Sequence, residues 1–366
     1  MKNTFGNALQ VTIFGESHGD QIGVILDGIP AGITLDMEFI KQQMEKRKAK
    51  GRISTQRHEA DEVKIVSGYF EGKTTGAPIG IMIANTAQHS ADYEKTKNRI
   101  RPSHADYSAD VKYRGFQDYR GGGHFSGRIT APLTAAGAIA MQILKEKGIT
   151  IASHILTCKT VHDTPFTQEE AALKKEMKRM NEEDIAVLNE QAKRDMLEVI
   201  EQAANDGDSV GGILESVILG VPAGIGEPFF DSMESELSHL LFSVPAVKGV
   251  EFGSGFAFAE MSGSQANDSF YFDNGVKTRT NHNGGINGGI TNGMPIRIKT
   301  VIKPTPSIYK PQETIDRQTH EPVILQIQGR HDPAIIHRAR VVVDSVLALG
   351  VLDEWMMNES WNVRKG

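Results

Sequence analysis

The sequence predicts an α+β fold in a single domain. Its β-branched segments come in blocks, its helical segments fall between those blocks, and neither a Pro/Ser linker nor a fixed-period repeat divides the 366 residues. A helix after every strand would have indicated a doubly wound parallel sheet instead.

The first block holds four short strands, at 10–14, 22–26, 63–67 and 79–84, rich in β-branched residues and bounded by Gly, Pro and Asp. Between the second and third, residues 36–48 read as a helix with Asp36 as N-cap and Phe39, Ile40 and Met44 along one face. Thr130-Ala131-Pro132 opens another helix: Thr130 can cap it, Pro132 suits the first turn, and Gly148 is the expected glycine after the last turn. Residues 167–206 look like an appended, highly charged helical element, broken near Asn181. Strands return at 212–220, 249–258, 296–302 and 323–327, and a last helix is expected from Pro333 towards Trp355.

Composition narrows the function. The longest apolar runs fall far short of the roughly 20 residues a membrane span needs, and the opening residues carry no stretch of signal-peptide length. One cysteine, Cys158, excludes an intrachain disulfide and a cysteine-rich metal site, and the cytoplasm is the expected compartment. A net charge of −6 argues against a nucleic-acid binder. Residues 41–57 nevertheless gather seven basic side chains against Glu45 alone. That run is either a solvated helix face or a site for a small anion. The 37 glycines exceed the usual share of about 7% and imply tight turns or close backbone approach to a ligand.

Four segments combine glycine with ionisable side chains, and a fifth combines them with proline. Gly15-Glu16-Ser17-His18-Gly19 lies between two predicted strands and is either a plain hairpin loop or a site in which His18 supplies a proton near neutral pH. Arg101-Pro102-Ser103-His104-Ala105-Asp106-Tyr107 is either a surface loop or a segment stiffened by its proline, which would help to hold His104 in one orientation. Residues 120–128, RGGGHFSGR, lead into the helix at Thr130; exposed glycine N–H groups, a helix N-terminus and the forked donor of Arg128 suit phosphate or carboxylate. Residues 281–290, NHNGGINGGI, read either as turns or as a close approach to a flat cofactor. In Gly329-Arg330-His331-Asp332-Pro333, Asp332 is an N-cap or, with Arg330, a carboxylate–guanidinium pair beside a ligand. GDSVGG at 207–212 resembles a serine-protease nucleophile loop, but a valine interrupts it. No His-Glu-x-x-His metal motif, phosphate-loop motif or convincing dinucleotide-binding unit is present.

Taken together, these segments resemble the chorismate synthase family. The resemblance rests on GESHGDQIGVILDGIP (15–30), GHFSGRITAPLTAAGAIA (123–140) and RHDPA (330–334). EVKIVSGYFEGKTTGAPIG (62–80), RPSHADY (101–107), AVKGVEFGSGF (246–256) and NGGINGGITNGMPI (283–296) occur in family order, so the match spans nearly the whole chain. It implies a β-α-β sandwich of antiparallel sheets flanking central helices. It also implies anti-1,4-elimination of phosphate from 5-enolpyruvylshikimate 3-phosphate to give chorismate, with reduced FMN and no net redox change.

By the same resemblance, Ser17, Arg47, Arg52, Ser126, Arg128 and Arg330 match residues that line the substrate site. His18 matches the histidine that protonates the departing phosphate, and His104 the one that protonates reduced flavin. Asp332 matches the aspartate that helps the flavin take the substrate proton. Flavin contacts are implied for His124, Phe125, Ser126, Ala246, Gly288, Lys303, Pro304, Thr305, Pro306, Ser307 and Arg330. The family further implies a homotetramer, and with no reductase segment visible the reduced flavin is expected from an external source.

The chain departs from the family at several positions. His124-Phe125-Ser126-Gly127-Arg128 stands where Arg-Ser-Ser-Ala-Arg is common, and Pro245, Ser103, Ala334 and Asp344 stand where Asn, Gly, Cys and Glu are frequent. Arg47 and Arg52 also lie one residue closer together than in many members. Altered flavin contacts with intact chemistry are therefore expected. Two other classes predict different behaviour. A flavin oxidoreductase would consume reductant in step with substrate, and a non-catalytic anion-binding module would not respond to loss of His18.

Overall fold

Burial alternates along the first block as a one-sided sheet demands: Ile22, Val24 and Leu26 are fully buried while Ile25 remains exposed. The computed structural model describes residues 2–49, 53–54, 61–86, 97–327 and 331–362. Its first sheet contains β1 (Thr4–Phe5), β2 (Gln10–Gly15), β3 (Gln21–Asp27), β4 (Lys64–Ser67) and β5 (Ile79–Ala84), in spatial order β1-β2-β3-β5-β4. The second contains β6 (Thr150–Cys158), β7 (Val161–His162), β8 (Gly212–Leu219), β9 (Val247–Phe252) and β10 (Ile296–Ile302), in order β9-β10-β8-β6-β7. Every pairing in both is antiparallel.

The described helices of eight or more residues are, in chain order, α1 (Met37–Arg47), α2 (Asp106–Tyr113), α3 (Thr130–Glu146), α4 (Glu170–Glu182), α5 (Glu190–Asn205), α6 (Met233–Ser243) and α7 (Ile336–Asn362). Of these, α3 and α7 fill the space between the sheets. Helix α3 packs on β3 and β5, α7 packs on β6 and β8, and the two helices pack on each other. Gly137 permits that approach, because a Cβ there would lie 2.2 Å from the Ser345 Cβ. The expected α+β fold, with antiparallel sheets flanking central helices, is what the chain adopts.

The charged element resolves into α4 and α5, with α4 covering β6. Beneath it lies a charged cluster. His154 places Nδ1 3.0 Å from Asp163 and Nε2 2.9 Å from Glu215, whose other oxygen is 3.3 Å from Arg297. Burial opposes a charge on His154, but the two carboxylates outweigh it and raise its proton affinity. Two cations thus meet two anions, which makes the buried cluster neutral.

Several boundaries differ from expectation, each for a physical reason. The strand expected at 249–258 stops at Phe252, because Gly253 and Gly255 take φ of 56° and 50° and the chain turns into a 3-10 segment. Thr130 does not cap α3: its hydroxyl donates to the Gly127 carbonyl, while Ser126 caps the preceding turn by accepting from the Arg128 N–H. Asp332 caps nothing, since α7 begins at Ile336, and the helix runs past Trp355 to Asn362. Strand β6 and helices α2 and α6 were not expected.

Near its end α7 carries Asp353 and Glu354, both buried. Asp353 accepts backbone N–H bonds from Asn7, Ala8 and Leu9 at 2.7–3.2 Å, which ties the N-terminal segment to α7. Burial, and then the negative charges of Asp353 and Glu236, push the Glu354 carboxyl from its ordinary 4.5 up to about 7. Between those two pH values the folded chain holds a proton that the unfolded chain has released, so stability falls as pH rises through the window. Glu354→Gln is expected to remove that loss, gaining roughly 1–3 kcal/mol near pH 8 and much less near pH 5. Urea unfolding of both proteins at the two pH values measures it; a pH-independent difference contradicts the assignment.

Candidate active site

The loop at 15–19 joins β2 to β3 and is anchored to the glycine segment. The Ser17 N–H donates to the Gly123 carbonyl at 3.1 Å, and the Ser17 hydroxyl donates to the Arg120 carbonyl at 3.0 Å. With its one proton used there, the hydroxyl accepts from Nδ1–H of His18, 3.0 Å away. Nε2 is then the ring nitrogen that this bond does not use. Both Ser17 and His18 are buried.

The three glycines bring the two histidines to neighbouring backbone positions. Gly121, Gly122 and Gly123 have φ of 59°, 87° and 54°. A Cβ on Gly121 would lie 2.2 Å from His18 Cε1, and one on Gly122 3.3 Å from His104 Cε1. The glycines are therefore required twice, by left-handed backbone and by two imidazole rings resting against them.

His104 is held from the other side. Its Nδ1 lies 2.7 Å from Asp106 Oδ1, and Arg101 clamps both oxygens of that carboxylate from Nε and a terminal nitrogen, each at 2.7 Å. Burial alone would raise the Asp106 pKa, but the hydrogen bonds from Arg101 and His104 prevail and hold it well below the usual range. Asp106 is thus ionised and accepts from Nδ1–H, leaving Nε2 towards Gly122, where a Cβ would lie 3.4 Å away.

Arg47 and Arg128 share one counter-ion. Arg47 lies on the buried face of α1, and a terminal nitrogen donates to Asp61 Oδ2 at 2.9 Å. Arg128 donates to Asp61 Oδ1, and its Nε donates to Asn85 Oδ1 at 2.9 Å. Asn85 in turn donates to the carbonyls of Glu16 and Gly19, which ties Arg128 to the His18 loop. Elsewhere on α1, Lys41 pairs with Glu38 and Lys48 with Glu45. The basic run is thus partly a solvated face and partly, at Arg47, turned inward.

Asp332 is paired, though not as the sequence suggested. Arg338, one turn into α7, donates to its carboxylate at 2.5 Å and to the Arg47 carbonyl at 2.9 Å. Arg330, the partner suggested by sequence, and Arg52 lie outside the described residues. The Asp332 carbonyl accepts from the Thr305 hydroxyl at 2.9 Å. Beside Asp332, His331 is half-buried against Tyr309, and burial, then the charge of Arg101, lowers its proton affinity.

The segment 303–307 joins these groups. The Lys303 N–H donates to the Ala246 carbonyl at 2.9 Å, and its ammonium donates to the Ser103 carbonyl, next to His104, at 2.7 Å. Ala246 has φ of 75°, and Ser209 of the GDSVGG segment donates to the Thr305 carbonyl, so that serine braces the chain here. Ser126 caps the turn at Arg128, Phe125 leans on Tyr113 with its ring 39% exposed, and His124 Nδ1 donates to the Gly15 carbonyl at 2.7 Å.

Gly288 is placed apart. With Gly289 it makes the two-residue turn between strands 286–287 and 290–291, with φ of 63° and 87°. That hairpin abuts residues 226–233, and among the described residues no hydrogen bond ties Gly288 to 303–307. For residues 281–290, the observed backbone is that of turns.

Asp61, Asn85, Asp106 and Arg338 were not singled out from sequence. Only Asp106, two residues after His104, had a local signal. Among the described residues no helix is long and apolar enough to cross a membrane, and no group of three or more His, Cys, Asp or Glu side chains is arranged to hold a metal ion.

Paired histidines on a glycine backbone, beside two inward-facing arginines, define an acid–base enzyme acting on an anionic small molecule. Comparison with known proteins gives the particular family. A family profile described as chorismate synthase matches residues 9–356. The chorismate synthase of Thermococcus kodakarensis is 43% identical over 97% of this chain and 98% of its own length. That of Pyrococcus abyssi is 44% identical over 98% of this chain and 99% of its own. A crystal structure of chorismate synthase superposes with a TM-score of 0.76 at 26% identity, covering 97% of this chain and 93% of that one. The chain belongs to the chorismate synthase family. It is a lyase that eliminates phosphate from 5-enolpyruvylshikimate 3-phosphate to form chorismate, the last step of the shikimate pathway.

Proposed function

We propose that His18, His104 and Asp332 carry the proton transfers of this elimination, and that Ser17, Arg47, Arg52, Ser126, Arg128 and Arg330 bind the substrate. The observation that carries the reading is the seating of His18 and His104 against successive glycines, with Arg128 joined through Asn85 to the His18 loop. A proton delivered from His18 Nε2 makes the departing phosphate a better leaving group. The guanidinium groups stabilise its charge, and Asp332, whose carboxylate pairs with Arg338, would help bound flavin take the substrate proton.

The donor set fits reduced FMN as cofactor. Lys303 offers a cation whose pKa is lowered by burial and by Lys248. Thr305 and Ser307 offer hydroxyls, Phe125 offers a half-exposed apolar ring, and Pro304 and Pro306 stiffen the strip between Ala246 and Asp332. When bound, reduced flavin supplies electron density transiently and recovers it, so no net redox change results. The chain's own residues hold and orient it: His104 as proton donor, with His124, Phe125, Ser126, Ala246, residues 303–307 and Arg330 as contacts. Gly288 fits this set poorly in a single chain.

An external source of reduced flavin, a homotetramer and a cytoplasmic location complete the reading. Exposed Phe256, Phe270 and Phe272 support assembly, since aromatic surface of that kind is usually covered. Anaerobic titration with reduced FMN tests the flavin contacts. A His124→Arg/Phe125→Ser variant loses the bond to the Gly15 carbonyl and the apolar ring, and is expected to change FMN affinity by about tenfold, worth about 1.4 kcal/mol, with turnover comparable. Unchanged affinity with comparable turnover contradicts it.

A further inference from the structure

Asp61 has no role in the chemistry so far. Its side chain is fully buried, it stands at φ 48°, and its two oxygens are divided between Arg47 and Arg128. Burial disfavours its charge, yet the two guanidinium groups outweigh burial and keep it ionised. Arg128 is further engaged by Asn85 and the Ala84 carbonyl, so its guanidinium plane is fixed before any ligand arrives.

A carboxylate in this position does two things. It holds two like charges side by side, which would otherwise repel and scatter. It also claims the donors that a small anion would use, and a bidentate guanidinium site treats carboxylate and phosphate alike. Resting on the assignment of Arg47 and Arg128 to the substrate site, we propose that Asp61 is an internal anion that positions this arginine pair and competes with small anions for it, so that inorganic phosphate binds weakly. A substrate with a phosphate and two carboxylates engages other cations as well and prevails; phosphate, once released, is left to compete with Asp61 alone and departs. Asp61 is a positioning and selectivity residue in this account, and takes no part in proton transfer.

The test is calorimetric titration of the whole chain with inorganic phosphate, comparing wild type, Asp61→Asn and Arg128→Gln, with product inhibition by phosphate measured in parallel. Asp61→Asn is expected to bind phosphate at least tenfold more tightly than wild type and to be inhibited correspondingly more. Arg128→Gln is expected to bind it more weakly. If Arg128→Gln leaves phosphate binding unchanged, the assignment of the arginines fails and the proposal falls with it. If Arg128→Gln weakens binding but Asp61→Asn does not strengthen it, the proposal alone is overturned. An Asp61→Asn protein that folds only with phosphate present supports the proposal; one that folds at no phosphate concentration overturns it.

Discussion

His18→Ala is expected to lower kcat by about 10²–10⁴, the range contributed by one positioned proton donor. Ser17 holds Nδ1 of His18, Gly121 lies against the ring, and the imidazole is buried, so its proton exchange is directed through Nε2. Alanine removes the donor without straining the backbone, and the arginines proposed to bind substrate, Arg47 and Arg128, are separate from it. The loss is therefore expected in kcat, with KM changed only a few-fold. Anaerobic stopped-flow kinetics with saturating reduced FMN and matched circular dichroism spectra measure it. A fall of less than tenfold would remove His18 from the chemistry.

Asp106→Asn is expected to be nearly as damaging, although Asp106 touches neither substrate nor flavin in this account. The carboxylate accepts from His104 Nδ1 and from the fork of Arg101. An asparagine cannot accept from all three, and its amide competes for the orientation of the ring, favouring the wrong tautomer. A loss of about 10²-fold in kcat is predicted, the lower end for a misdirected acid–base group. Asp106→Glu is expected to recover part of the rate, which a merely structural role would not predict. Equal activity of Asp106→Asn and wild type would show that the clamp on His104 is unnecessary.

Much of the fold was legible because its strands bury one face. Residues 79–84 form a strand with the expected ends, and Asp36 caps α1 by accepting from the Phe39 N–H. Strand β6 was hidden because Ser153, His154 and Thr157 break its apolar pattern while being buried. Their partners are remote: His154 meets Glu215 across the sheet, and Ser153 donates to Asp344 on α7. Local pattern reading has no access to such pairs. Asp332 is not the cap because α7 begins four residues later, at Ile336, and its carboxylate pairs with Arg338.

The candidate site was legible as segments and illegible as a circuit. Glycines with histidine or arginine beside them drew attention to His18 and Arg128, and a stiffening proline to His104. The connecting groups, Asp61, Asn85 and Arg338, are ordinary residues in sequence and acquire meaning only when the fold brings them to the arginines and to Asp332. Buried charge needs a partner, and the partner is set by tertiary contact.

The account's central claim is that these groups perform a phosphate elimination without net redox change. Anaerobic incubation of the purified chain with 5-enolpyruvylshikimate 3-phosphate and a catalytic amount of reduced FMN tests it most directly. The account predicts many turnovers per flavin, with chorismate and phosphate released in equal amounts and the flavin still reduced at the end. Well-folded protein that forms no chorismate, or that consumes one reductant per product, would contradict it.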